Sequence, residues 1–208
     1  AGGPTARTGK ASASPAAGAS WPGAEAADDT ATVARLSGAP DAWFAPPACR
    51  LPLPASPHHA AAAAGVHLTA AGIAGHRATL QARLPDRPWV VEGAGGLQVP
   101  LNASERWPQV IRPLGLPLLI VASTRLGAIN HTLLTVQSAR AEGLTVLGVV
   151  LSGPPDPSLD SALASHLVGA LACPVLGALP WIATPSPASL RPWGQRLLDA
   201  PALREALR

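Results

Sequence analysis

Tyrosine and methionine are absent from this 208-residue chain, phenylalanine occurs once, and Lys10 is its only lysine. With so few aromatic side chains there is no stacking platform for single-stranded nucleic acid. A single lysine excludes any chemistry that needs two. The other cations are arginines scattered along the chain, and 15 cations against 12 anions leave a net charge of only +3. No basic block forms, so neither a nucleic-acid footprint nor a membrane-binding stripe is expected. The two cysteines, Cys49 and Cys173, stand in unrelated contexts, outside any Cys-x-x-Cys or Cys/His cluster. Two buried free thiols in a reducing compartment are the expectation. No apolar run approaches the roughly 18 residues of a spanning helix. No secretory signal is visible, and the expected location is cytoplasmic.

What is present suits a folded domain. Hydrophobic residues make up 48% and charged residues 13% of the chain, a balance that buries a core rather than leaving the chain disordered. Residues 1–26 are Gly, Ala, Ser and Pro with little periodicity, and read as a flexible, degenerate N-terminal segment. Residues 27–208 read as one α/β domain. An α/β domain normally opens with a buried strand. None is legible before residue 27, so the start of the domain is expected to be missing or garbled. The string Gly3-Pro4-Thr5-Ala6-Arg7-Thr8-Gly9-Lys10-Ala11-Ser12 suggests a phosphate-binding loop. It has no preceding strand, however, and Ala11 stands where a hydroxyl should meet Mg²⁺.

Further on, residues 28–38 read as a short helix with acids in its first turn, Asp29 among them, and Gly38 as its stop. Residues 40–57 are Pro-rich and extended. His58 and His59 are adjacent, which is not the spacing of two metal ligands on one helix face, and they read as loop residues. Residues 69–84 predict a helix, with Ile73, Arg77, Leu80 and Leu84 on or near one face. Residues 116–122 predict a buried strand, followed after His131 by a helix to about residue 142 that Gly143 closes. A strand over 145–151, a helix over 158–171, a short strand over 174–176 and a helix over 190–198 complete the chain. Strands alternating with helices imply parallel βαβ units in a doubly wound sheet, with loops at one edge after each strand.

The central feature is Trp89-Val90-Val91-Glu92-Gly93-Ala94-Gly95-Gly96-Leu97-Gln98-Val99-Pro100-Leu101-Asn102. Apolar residues run into a carboxylate and then into three glycines within four positions. A buried strand ending in a Gly-rich loop is a usual site for a phosphate or a metal in an α/β sheet. The glycines let backbone N–H groups approach an anion where a Cβ would collide. The alternative is a tight turn after an ordinary strand, with Glu92 solvated.

Three strings taken together resemble dethiobiotin synthetase. They are Val91-Glu92-Gly93-Ala94-Gly95-Gly96-Leu97 with Val99-Pro100-Leu101, then Leu126-Gly127-Ala128-Ile129-Asn130-His131-Thr132-Leu133-Leu134-Thr135, then Gly177-Ala178-Leu179-Pro180-Trp181. Asp29 and Ser56-Pro57-His58 fit in the same order, and the match runs over about residues 17–199. The resemblance implies a P-loop NTPase type of α/β fold whose first strand and phosphate loop are missing or degenerate here. It implies an ATP- and Mg²⁺-dependent ligase of biotin synthesis acting on 7,8-diaminononanoate and CO₂, and a homodimer with active sites at the subunit interface. By resemblance Asp29 and Glu92 hold Mg²⁺. Together with Gly93, Ala94 and Gly95 they face the nucleotide phosphates. Gly127, Ala128, Ile129 and Asn130 receive the carboxylate of the diamine. Ser152, Gly153, Pro180, Trp181 and Ile182 occupy the nucleotide-base positions. Lys10 is the candidate catalytic residue, nearer to the place of the family's second active-site lysine than to that of its phosphate loop. Two departures stand out. The family has two active-site lysines, and it reads adenine with an Asn where this chain has Ser152, whose reach is shorter. A non-catalytic dimeric relative, or a truncated fragment that binds ligands without turnover, is the alternative.

Overall fold

The computed structural model describes residues 7–10 (backbone only), 29–85, 87–153, 166, 169–170 and 173–207. Its strands are β1 Arg7–Lys10, β2 Trp89–Glu92, β3 Leu118–Ser123, β4 Val146–Gly153 and β5 Val175–Pro180. The helices are α1 Asp29–Ser37, α2 Pro57–Ala63, α3 Ala70–Arg83, α4 Trp107–Leu114, α5 Ala128–Ala141, α6 Pro187–Leu198 and α7 Pro201–Ala206. Every pairing between these strands is parallel. The fold is therefore α/β, with helices packed against parallel strands. Contacts divide the chain into two compact units, 1–114 and 115–208.

In the first unit β1 pairs with β2, with Lys10 opposite Glu92 at the last position of each strand. At residues 7–10 this corrects the expectation of coil and places Gly9 and Lys10 in extended chain rather than in a phosphate loop, while residues 11–26 lie outside the described residues. Arg-Thr-Gly-Lys has no apolar alternation, so nothing local announces a strand. Its hydrogen-bond partners come from Trp89, Val90, Val91 and Glu92, far along the chain. The rest of the Gly3 to Ser12 string lies outside the described residues. Helix α1 ends where expected, with Gly38 at φ +63°. Helix α3 begins at an N-cap, Thr69, whose side chain accepts the Gly72 N–H at 3.1 Å. His58 and His59 lie in α2 and not in a loop, because Pro57 starts the helix from its first turn. One core gathers Ala70, Ile73, Leu101, Trp107 and Val110. A smaller cluster holds Cys49, Ala61 and Leu68.

In the second unit the strand order is β3-β4-β5. Strand β4 is buried over its middle, with Val149 and Leu151 almost inaccessible, as a central parallel strand should be. Ile120, Ala122, Ala128, Val136, Val149, Leu151 and Cys173 form its core. Strand β5 is longer than the expected 174–176 and runs to Pro180. Gly177 interrupts its apolar pattern, but a side chain there would strike Leu197 in α6, so the glycine serves helix-on-strand packing. The expected helix over 158–171 lies outside the described residues but for three positions. Helices α4 and α7 extend the elements legible in the sequence.

Candidate functional site

The glycine loop leaves β2 directly after Glu92, an exposed carboxylate at the carboxyl end of its strand. Two glycines in the loop are closely packed against side chains. Gly95 has φ +83°, and a Cβ there would lie 3.0 Å from Val99 Cγ2. A Cβ on Gly93 would lie 3.2 Å from the Trp107 ring. The loop then turns, with Val99 donating its N–H to Gly96 O at 3.0 Å.

Trp107, the first residue of α4, supports this loop and went unread in the sequence. It is buried, and its indole N–H donates to Ala94 O at 2.9 Å. Ala94 and Val99 pack on its cluster. A Trp-Pro start followed by Val110, Ile111 and Leu114 at helical spacing was the available signal, since Pro suits the first turn. Past the loop, Asn102 ties the chain down. Its amide donates to Leu68 O at 2.7 Å and to Glu105 Oε2 at 2.6 Å, and its Oδ1 accepts the N–H groups of Ser104 and Glu105. Glu105 Oε2 also accepts the Ala70 N–H at the start of α3, where a carboxylate suits the helix dipole. The segment after the glycine loop is therefore tied down by several side-chain hydrogen bonds.

Asp29 is the first residue of α1, exposed, and α1 packs against β1. Lys10 ends β1. Asp29, Lys10 and Glu92 thus belong to elements that adjoin in one unit. Among the described residues no group of three or more His, Cys, Asp or Glu could hold a metal by itself. A cation bound through Asp29 and Glu92 would need phosphate oxygens and water to complete its shell. That is the habit of Mg²⁺ rather than of Zn²⁺ or Ca²⁺, so the donor set fits Mg²⁺.

In the second unit, Gly127 caps α5 with φ +92°. The left-handed turn lets the helix start at Ala128, four residues before the expected place. Ala128, Ile129 and Asn130 therefore form the first helical turn. The first helical bond runs from the His131 N–H to Gly127 O at 3.0 Å. The N–H groups of Ile129 and Asn130 precede that bond and are left for another acceptor. Ala128 is buried, while Ile129 and Asn130 are exposed.

The nucleotide-base candidates meet by register. Gly153 pairs with Pro180 and Ser152 with Leu179, at the carboxyl ends of β4 and β5. Trp181 follows with 66% of its surface exposed, and Ile182 is half-buried. Thr124, just past β3, closes against Gly153 so tightly that a Cβ on Gly153 would overlap its hydroxyl. Only glycine fits there, and the Thr124 hydroxyl is buried with no hydrogen-bond partner among the described residues.

Comparison with known proteins gives a consistent picture. A family model described as an AAA domain matches residues 20–189. An ATP-dependent dethiobiotin synthetase of Rhodopseudomonas palustris strain HaA2 is 41% identical over 160 residues, which is 76% of this chain and 69% of that protein. Its counterpart in Novosphingobium aromaticivorans is 40% identical over 185 residues, covering 88% of this chain and 77% of that protein. Among solved structures, a ParA family ATPase of Chlorobium tepidum aligns over 98% of this chain and 80% of its own, with a TM-score of 0.49 and 10% identity. That likeness is too distant to argue from.

Proposed function

The chain belongs to the ATP-dependent dethiobiotin synthetase family, and from that premise we propose that it is an ATP- and Mg²⁺-dependent ligase forming C–N bonds. Its reaction closes the ureido ring of dethiobiotin from 7,8-diaminononanoate and CO₂. One amine takes up CO₂ as a carbamate and releases a proton. The carbamate oxygen attacks the γ-phosphorus of ATP and ADP leaves. The second amine then attacks the carbamoyl carbon, and phosphate leaves as the ring closes.

The observation that carries this reading is the edge formed by β1 and β2. The chain's one lysine and the carboxylate that leads the glycine loop end two paired strands. Phosphoryl transfer requires charge neutralisation and positioning rather than a protein nucleophile. Lys10 is suited to neutralise charge on the carbamate and phosphate oxygens as the catalytic residue. Asp29 and Glu92 would hold Mg²⁺, which supplies charge neutralisation to the phosphates when bound. Gly93, Ala94 and Gly95 offer backbone N–H groups to the same phosphates. Gly127, Ala128, Ile129 and Asn130 would receive the diamine carboxylate at the start of α5. Ser152, Gly153, Pro180, Trp181 and Ile182 would frame the base. Leu126, Ile129 and Leu134 are large apolar side chains exposed around the start of α5, which supports a homodimer with a second copy covering that face. A cytoplasmic enzyme suits the two free, buried cysteines.

The test is turnover with 7,8-diaminononanoate, bicarbonate and Mg·ATP, followed by mass spectrometry of the product. Dethiobiotin and ADP should form in equal amounts. Glu92→Gln should reduce that turnover by at least 10²-fold, as loss of a charge-stabilising group does. Undiminished turnover in the variant would remove Glu92 from the metal site, and absence of dethiobiotin would defeat the ligase reading.

A further inference from the structure

We propose that Trp107 is a positioning residue, whose buried indole orients the Ala94–Gly95 peptide so that the Gly95 N–H faces a bound polyphosphate. The inference rests on the nucleotide role of the glycine loop, but it concerns a residue outside that loop.

The backbone of the loop leaves a choice open. Gly95 has φ +83°, and glycine allows a peptide preceding it to point either way at little cost. The sequence of the loop therefore does not decide where its N–H groups aim. The Trp107 indole decides it. Its N–H donates to Ala94 O at 2.9 Å from beneath the loop, and its ring fills the space next to Gly93. A peptide bond is planar and trans, so the carbonyl of one residue and the N–H of the next point in opposite directions. With Ala94 O held on the buried indole, the Gly95 N–H points away from it. Gly95 is on the exposed side of the loop, and no backbone carbonyl among the described residues accepts its N–H. That donor is aimed at solvent, on a loop that starts at Glu92.

A buried tryptophan usually finds a partner for its N–H, so the bond alone is also what satisfying a core residue would produce. The two roles separate experimentally. Trp107→Phe keeps an aromatic ring in the core and removes the donor. Titration calorimetry with Mg·ATP and with 7,8-diaminononanoate, and the ¹⁵N–¹H signal of Gly95 during titration with magnesium tripolyphosphate, give independent readouts. In the parent chain the Gly95 amide should shift as tripolyphosphate binds. In Trp107→Phe the Kd for Mg·ATP and for tripolyphosphate should rise about fivefold, as loss of one hydrogen-bonded support allows. The Kd for the diamine should be unchanged, and the Gly95 shift should shrink.

Equal weakening of both ligands would mean a purely structural role and would overturn the proposal. So would unchanged polyphosphate affinity, or a parent Gly95 amide that ignores tripolyphosphate. A parent chain that binds tripolyphosphate through Gly95 but makes no dethiobiotin would sink the ligase reading and leave this one standing. If Trp107→Phe does not fold, benzothienylalanine at position 107 keeps the indole shape without its N–H and carries the same expectations.

Discussion

Gly95 meets two separate obstacles to any side chain, a left-handed φ and the Val99 methyl that a Cβ would crowd. Gly95→Ala should cost about 1–3 kcal/mol of stability, read as a lower urea midpoint with an unchanged slope. A cost near zero would mean that the loop relaxes, and that its shape is not held by the base beneath it. Cys49 makes a prediction of a different kind. Burial pushes its thiol up to about 11 from a usual 9.0, and burial raises Cys173 as well, against a lowering by Arg140. The folded chain therefore disfavours the thiolate. The stability this represents is fully present below pH about 9 and is lost as pH rises through about 11. Urea midpoints should fall between pH 8 and pH 10.5, and Cys49→Ala should flatten part of that fall. A slope indifferent to Cys49→Ala would contradict the burial of its thiol.

At the scale of the element, the N-terminus of α3 is held twice, by Thr69 on the Gly72 N–H and by Glu105 on the Ala70 N–H. Thr69→Ala should cost about 1 kcal/mol, while Thr69→Ser should cost little, because serine caps as well. Thermal unfolding of both variants checks this, and equal losses would mean the methyl matters and the hydroxyl does not. The same helix tells how far elements were legible. Its apolar spacing around Ile73 is a local signal, and it locates the helix within a residue at each end. Helix α5 starts four residues earlier than expected, because Gly127 caps it and residues 128–131 are its first turn rather than loop. Strand β1 was not legible at all. Arg-Thr-Gly-Lys acquires strand character only by pairing with β2. His58 and His59 belong to α2 because of Pro57, a start signal masked by the prolines around it.

At the scale of the whole molecule, function is a question of linkage. If Mg·ATP binds the folded chain and not the unfolded one, a concentration a hundredfold above Kd should add about 2.7 kcal/mol of stability. For a chain of this size that is a rise in Tm of roughly 5–10 °C. Mg²⁺ without nucleotide should do much less, since no cluster among the described residues completes its shell. The same rise with Mg²⁺ alone would argue for a resident metal instead of one brought with phosphate. The low charge of the chain, 13% of residues, makes nonspecific salt effects on this shift small.

The sequence by itself determined whatever rests on neighbours a few residues apart. Helix α3, strands β2 to β5, the carboxylate before the glycines and the glycine stops at residues 38 and 143 follow from local backbone and side-chain preference. Tertiary structure alone decided which strand ends meet and which way a permissive loop faces. Lys10 beside Glu92, Gly153 beside Pro180 and Trp107 beneath Gly93 and Ala94 are contacts between distant stretches. Their partners come from the packed chain, and glycine, which prefers no orientation of its own, takes the one its distant neighbour imposes.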